Sequence, residues 1–246
     1  LDLSWRPLGG AAHLGARRSP IRSVEAARAF ARQAADLPGI RLRGLMGYEA
    51  HIASVGEWEQ RSWAQATAIR SFKRLAIPAL QKLRREVVDA LRADGVALDL
   101  VNGGGTGSLR STTQEAACTE VTAGSGFLCS HLFSGFDDLD VQPALFIALE
   151  AVRRPDPGIV TCLGGGIIGS GPPADDRAPV PWLPSGLRLT AMEGAGEVQT
   201  PLQAGDAPIE LGDPVFLRPA KAGEPAERFS EYLLVRDDRI DATEPT

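Results

Sequence analysis

The chain has 246 residues, a formal net charge of −5, 43% hydrophobic and 23% charged residues. That length suits one large domain or two small ones with a real core, and the composition is that of a globular protein. An acidic balance with no lysine/arginine-rich tract argues against nucleic acid as the main partner, and no apolar run reaches the ~18 residues of a spanning helix.

In chain order, Leu1, Leu3 and Trp5 alternate with polar positions until Pro7, Gly9 and Gly10, which reads as a strand and turn. His13–Ala16 is a second short candidate strand. Ser23 is placed to cap a helix from Val24 to about Asp36, which Pro38 and Gly39 end. Ile40–Met46 reads as a strand, with Gly47–His51 the loop after it. Trp58, Trp63, Ile69, Phe72, Leu75, Leu80, Leu83, Val87 and Leu91 predict a long helix over Glu57–Ala93, kinked or divided at Pro78. Strands are expected at Val96–Val101 and Glu120–Ala123. This alternation predicts parallel α/β structure. The texture then changes near 135–143. Pro143–Val152, Ile159–Leu163, Leu187–Met192, Val215–Leu217 and Tyr232–Val235 are short strand-like runs separated by Gly and Pro, which predicts an all-β domain.

Two segments carry chemistry. Val101-Asn102-Gly103-Gly104-Gly105-Thr106-Gly107-Ser108 follows a buried strand; its glycines let backbone amides approach an anion, and Thr106 and Ser108 add hydroxyls. It is neither a Walker loop nor a dinucleotide fingerprint, and a flexible turn is the plain alternative. Gly44–His51 places Tyr48, Glu49 and His51 just past the carboxyl end of a strand, where ligand-facing residues of a β/α barrel sit. For His51 the alternative is a satisfied structural histidine. Gly164-Gly165-Gly166 is read as a structural turn, Glu193–Thr200 as a hairpin or bulge, and Lys221 as a solvated loop residue. The three cysteines, Cys118, Cys129 and Cys162, cannot all pair and show no C-x-x-C spacing, which points to a reducing, cytoplasmic setting. Of 26 basic residues only Lys73, Lys82 and Lys221 are lysine.

An ordered set of blocks resembles a known group. GLMGYEAHIA at 44–53, VNGGGTGS at 101–108, EVTAGSGF at 120–127, PALFIALEAVRRPDPGIVTCLGGG at 143–166, EGAGEVQTPL at 193–202 and GDPVFLRPAKAGEPAERFSEYLLV at 212–235 are similar to the fold-type III pyridoxal-phosphate enzymes. Within these it resembles the D-threonine aldolase, D-serine dehydratase and amino-acid deaminase group, relatives of alanine racemase. The resemblance implies part of a cofactor-binding β/α barrel over residues 1–138 and a D-serine dehydratase-like β domain over 139–246. It places His51 against the pyridine ring, Arg18 near the phenolic oxygen, Gly104, Gly105, Thr106 and Gly107 in the phosphate loop, and Gly124 and Ser125 in a second phosphate loop. Pro20 stands where the group has a glycine beside that arginine. Tyr48 is a further candidate catalytic residue.

Two departures accompany the resemblance. None of the three lysines matches the group's Schiff-base lysine, so the expectation is a fragment lacking about three β/α units of an eight-unit barrel and inactive by itself. The group's His-x-Cys or His-x-Asp metal pair falls on Pro219 and Lys221, which predicts no metal site. The implied function is a pyridoxal-phosphate-dependent lyase or racemase acting on D-amino or hydroxy-amino acids, homodimeric when intact. A non-catalytic cofactor-binding protein and a sugar-phosphate-binding barrel are the alternatives.

Overall fold

The computed structural model describes residues 1–58 and 62–246, which divide into two compact units. Unit 1 comprises Leu1–Gly124 and Phe133–Asp140; unit 2 comprises Ser125–Leu132 and Val141–Thr246.

Unit 1 opens without the expected strand. Trp5 and Leu14 exchange one pair of backbone hydrogen bonds (2.8 and 2.9 Å), an isolated bridge that the glycine-rich turn between them does not extend. Helix α1 (Val24–Ala35) starts where Ser23 accepts a hydrogen bond from Ala26 N. Strand β1 (Gly44–Gly47) is followed by the four-residue helix α2 (Ala50–Ala53), so His51 lies on a helical turn rather than in a loop. Helix α3 (Trp63–Ala93) begins at Trp63, not at Glu57, because Ser62 and Gln65 form a reciprocal capping box. Residues 59–61 of the predicted helix lie outside the described residues. Pro78 neither ends nor divides α3, which continues with Ala76 and Leu80 buried on either side of it. Strand β2 (Leu100–Gly103), helix α4 (Leu109–Thr113) and strand β3 (Glu120–Val121) follow, so the strand predicted at Val96–Val101 starts later, at Leu100.

Strands β1, β2 and β3 form a parallel sheet in that order. Leu45 packs with the Ala27, Ala31, Val87 and Leu91 cluster of α1 and α3. The next row across the sheet, Met46–Asn102–Glu120, lies on the opposite face, where Met46 is 66% exposed. The buried residues of α3 are Ala66, Lys73, Ala76, Leu80, Arg84, Val87, Val88 and Leu91, a stripe at helical spacing that includes two cations. Trp63 and Leu75, part of the spacing that predicts the helix, are exposed.

Unit 2 is built on antiparallel strands: β4 (Ile147–Arg153), β5 (Ile159–Leu163), β6 (Val180–Leu183), β7 (Arg188–Leu189), β8 (Gln199–Gln203) and β9 (Pro214–Arg218). They make one six-stranded sheet, β6-β9-β4-β5-β8-β7, whose edge strands approach each other so that it is nearly closed. Ile147, Leu149 and Ala151 alternate inward with Ala148 and Glu150 outward, the period a half-buried strand requires. They pack with Val160, Cys162, Leu202, Val215 and Leu217. Strands β6 and β8 were not expected as strands, and only Arg188–Leu189 of the Leu187–Met192 run is one. The triple glycine is a turn against this sheet, with Gly164 N donating to Val198 O (2.6 Å) and Thr200 Oγ1 donating to Gly164 O (2.6 Å). A six-residue helix, α5 (Gly223–Arg228), and the hairpin of β10 (Glu231–Arg236) and β11 (Arg239–Pro245) complete the unit. Asp237 and Asp238 turn that hairpin at φ 49° and 59°. No helix among the described residues is long and apolar enough to cross a membrane.

Leu202 is fully buried, so Leu202→Ala is expected to cost about 2–5 kcal/mol, while Met192→Ala, at a 95% exposed position, changes stability by less than about 0.5 kcal/mol. Urea unfolding of both variants checks the pair; equal midpoints would show that the sheet core lies elsewhere.

Candidate functional site

The site in unit 1 is assembled by two turns that leave neighbouring parallel strands. After β1, the backbone carbonyl of Glu49 accepts hydrogen bonds from Ile52 N (2.9 Å) and Ala53 N (3.0 Å), which winds α2 and places His51. His51 is 7% exposed, and neither ring nitrogen has a hydrogen-bond partner. Its ring lies 5.7 Å from that of Phe72. A Cβ on Gly15 would come within 3.0 Å of His51 Nδ1, so the Gly15 backbone closes over the imidazole. Burial pulls the His51 pKa below its ordinary value; the carboxylates of Glu49 and Asp2 pull the other way, and His13 adds to the lowering. The ring is therefore neutral near pH 7.

After β2 the chain turns through Gly104, at φ +84°, into the one-turn helix Thr106–Ser108 that leads to α4. Gly105 must be glycine because a Cβ there would lie 2.9 Å from both Tyr48 Cε2 and Ala53 Cβ. A Cβ on Gly107 would enter the Phe136 ring, at 2.0 Å. The glycine loop is thus pressed against the α2 turn. Its first amides are already engaged: Gly104 N donates to Glu49 Oε2 (3.2 Å) and Gly105 N to Ser108 Oγ (3.1 Å). Thr106 Oγ1 donates to Ala123 O.

Beneath both turns is a buried ion network. Arg84, fully buried, donates to Glu49 Oε2 (2.7 Å) and Gly47 O (3.2 Å), and pairs with Glu115 (2.5 Å). Glu49 also accepts from Ser108 Oγ (3.2 Å) and Thr112 Oγ1. Burial opposes the charge on Arg84, but the two carboxylates outweigh it and raise its pKa. Burial pushes Glu115 up, and Arg84 opposes that. The Cys118 thiol, 3.2 Å from Arg84 Nη1, is likewise pushed up by burial against the pull of Arg84.

The sequence-predicted residues fall as follows. Tyr48 donates to or accepts from Ser54 Oγ (2.8 Å), and the guanidinium of Arg18 sits 5.7 Å above its ring. His51, Tyr48, Arg18 and Gly104–Gly107 therefore share one region of unit 1. Gly124 is the last residue of its stretch of unit 1 and Ser125 the first of unit 2; both belong to the one-turn helix Gly124–Phe127. Arg84, Ser108 and Thr112 escaped the sequence reading as partners of Glu49. The available signal was Arg84 lying four residues after Leu80 and three before Val87, on the apolar stripe of α3. Lys73 occupies the same stripe. It pairs with Glu57 beneath the Phe136 ring, beside a cavity of 50 Å³ that Thr106 and Gly107 help to line.

In unit 2, Pro219 O accepts from His131 N (3.0 Å), and Lys221 Nζ donates to Ser170 Oγ (2.8 Å). The chemistry of that pair does not suit a divalent ion, since proline has no donor side chain and an ammonium is itself a cation. Among the described residues no three His, Cys, Asp or Glu side chains gather as metal ligands.

No protein-family profile matches the chain. It is 29% identical over 223 residues to D-threonine aldolase of Arthrobacter sp., covering 87% of this chain and 53% of that protein. It is 31% identical over 111 residues to 3-hydroxy-D-aspartate aldolase of Paracoccus denitrificans, covering 45% of this chain and 26% of that protein. The fold matches D-threonine aldolase from Filomicrobium marinum with a TM-score of 0.75 at 21% identity, over 94% of this chain and 59% of that one. D-threo-3-hydroxyaspartate dehydratase from Delftia sp. HT23 matches with a TM-score of 0.66 at 20% identity, over 100% of this chain and 64% of that one. In sequence the chain is therefore a homologue of D-threonine aldolase and 3-hydroxy-D-aspartate aldolase, and it shares its fold with D-threonine aldolase and D-threo-3-hydroxyaspartate dehydratase, consistent with the fold-type III pyridoxal-phosphate group. It spans about half the length or less of the curated relatives it matches.

Removing Arg84 leaves Glu49 and Glu115 buried without their cation, so Arg84→Met is expected to destabilise the protein by about 3–5 kcal/mol; chemical denaturation measures it, and a loss under about 1 kcal/mol would show the network to be dispensable. His51 and His131 both have burial-depressed pKa values, so the folded state resists protonation. Their stabilising contribution is complete above the ordinary value of 6.5 and is lost as pH falls below it towards the folded values. His51→Phe should flatten the stability-versus-pH slope between about pH 6.5 and 5; an unchanged slope would mean that His51 does not titrate differently on unfolding.

Proposed function

We propose that the protein is a pyridoxal-phosphate-dependent lyase acting on D-amino or 3-hydroxy-amino acids. In this reading residues 1–138 are the carboxyl-terminal part of an alanine racemase-like barrel and 139–246 its β domain. The parallel β1-β2-β3 sheet supports the barrel reading, because it carries helices packed on Leu45 and leaves the Met46 row on the other face. Parallel sheets are normally covered on both faces.

The observation that carries the reading is the α2 turn after β1: it carries His51, a buried imidazole with both nitrogens unpartnered, and through Tyr48 and Ala53 it meets the glycine loop after β2. Such a ring offers a flat face for stacking rather than a hydrogen bond, which suits a pyridine ring. In the same reading Thr106, Gly107, Gly124 and Ser125 hold the phosphate, together with Gly104 and Gly105, whose amide commitments make them the frame of that loop. Arg18 lies near the phenolic oxygen. Pyridoxal phosphate, when bound, supplies the electron sink for the bond broken at the substrate's Cα. This chain's own residues orient the bound groups: His51 keeps the face beside the cofactor ring uncharged, Ser54 fixes the Tyr48 hydroxyl, and the Arg18 guanidinium lies over the Tyr48 ring.

The Schiff-base lysine is not assigned to any of the three lysines. Lys73 is buried on Glu57, Lys82 stands 3.6 Å from Glu86 on exposed α3, and Lys221 is bonded to Ser170. Pro219 and Lys221 support metal-independent chemistry. Homodimer formation and a cytoplasmic location belong to the same reading, the latter supported by the free cysteines.

In a protein that also supplies the Schiff-base lysine, addition of pyridoxal phosphate is expected to produce an aldimine absorbance band near the visible edge. There, turnover of D-threonine to glycine and acetaldehyde, or of D-serine to pyruvate and ammonia, should survive a chelator unchanged, while this chain alone should turn over neither. Borohydride reduction followed by peptide mapping should label none of Lys73, Lys82 and Lys221. Absence of the band would remove the cofactor reading, chelator sensitivity the metal-free one, and stoichiometric labelling of one of these lysines the last assignment.

A further inference from the structure

We propose that Glu49 is the positioning residue of this site: its backbone winds the turn that carries His51, while its carboxylate fixes the Gly104–Ser108 loop against that turn. The proposal rests on the reading of His51 as the residue that faces the cofactor ring.

Glu49 is 1% exposed and all four of its side-chain contacts are hydrogen-bond donors from other elements. Oε2 takes Arg84 from α3 and the Gly104 amide; Oε1 takes Ser108 Oγ and Thr112 Oγ1. A carboxylate stripped of water is held by such donors more strongly than a neutral acceptor would be. The loop therefore cannot shift along the strand direction without stranding a buried charge. At the other end of the same residue, the Glu49 carbonyl makes the first two hydrogen bonds of α2, and His51 is the second residue of that helix. Gly105 meets Tyr48 and Ala53 on either side of His51 with no room for a Cβ. One residue thus sets the separation between the imidazole and the loop. Arg84 pairs with Glu49, and Glu115 shares that guanidinium, so the network is held together by this chain's own groups without a ligand.

The role is separable from folding by trimming one donor rather than the carboxylate. Thr112→Val keeps the Cγ2 methyl that would meet a Cβ at Gly103 (3.1 Å) and removes the hydroxyl bonded to Glu49. Ser108→Ala is the second variant, should Thr112→Val fold poorly. Two readouts are taken on the full protein. The first is pyridoxal phosphate affinity by absorbance. The second is the imidazole NMR signals, which are few enough to assign because the chain has 3 histidines. Each variant is expected to weaken pyridoxal phosphate binding about tenfold and to shift the His51 resonances while leaving His131, in unit 2, in place. Thr112→Ser should restore both. If affinity and the His51 signals stay at wild-type values in both folded variants, the network is only structural and the proposal fails. If wild-type protein does not bind pyridoxal phosphate while Thr112→Val still moves His51, the cofactor reading fails and the positioning role stands.

Discussion

Arg84 sits on the mostly apolar buried stripe of α3, and its guanidinium is removed from water entirely. A cation in that place is tolerable only if its charge is compensated. Glu49 and Glu115 supply that charge, and Gly47 O and Cys118 Sγ accept from its two Nη groups, while Nε is buried without a partner. Because Glu49 in turn gathers Gly104, Ser108 and Thr112, the requirement to compensate one buried arginine organises three elements distant in sequence: the β1–α2 turn, the loop after β2, and α4. Replacing the whole network by hydrocarbon would cost little in stability by itself. Its use lies in geometry, since an apolar filling would not tell the glycine loop where to stop.

The packing around the loop follows from that anchor. Gly105 and Gly107 are pressed against Tyr48, Ala53 and Phe136 so closely that a single methyl has no room. The glycines read as an anion cradle in the sequence are thus, in part, close-approach glycines that let two turns touch. Both demands select the same residue type, which is why the motif alone did not distinguish them. His51 is the complement of this arrangement: the network is gathered on Glu49, and the imidazole is left buried without a partner.

Unit 2 obeys a different constraint. Its core is the inward row of a nearly closed antiparallel sheet, and among the described residues its buried arginine, Arg218, pairs with no carboxylate. That guanidinium instead donates to the Cys129 carbonyl (2.9 and 2.8 Å) and Ser130 O (3.2 Å), and lies 5.2 Å from the Trp182 ring. Burial pulls its pKa down, because carbonyl dipoles compensate a charge less fully than carboxylates do.

Local pattern alone determined the elements whose signals are local. Ser23 capping α1, the alternation of Ile147, Leu149 and Ala151, the shift from α/β to β texture, and the placement of Tyr48, His51 and the glycine loop after strands all follow from neighbouring residues and from periodicity. Strand limits and the start of α3 moved, because the capping box at Ser62 and the pairing of β1 with β2 decide them, and pairing is a contact across more than fifty residues of chain. Strands β6 and β8 each carry a proline, an unfavourable strand residue, so their pairing in the sheet decides that they are strands. The Glu49–Arg84–Glu115 network was invisible for a related reason. Charged residues at single positions read as solvated until the fold shows which are buried, and a buried charge has meaning only with its partners, which the tertiary structure alone brings within 2.7 Å.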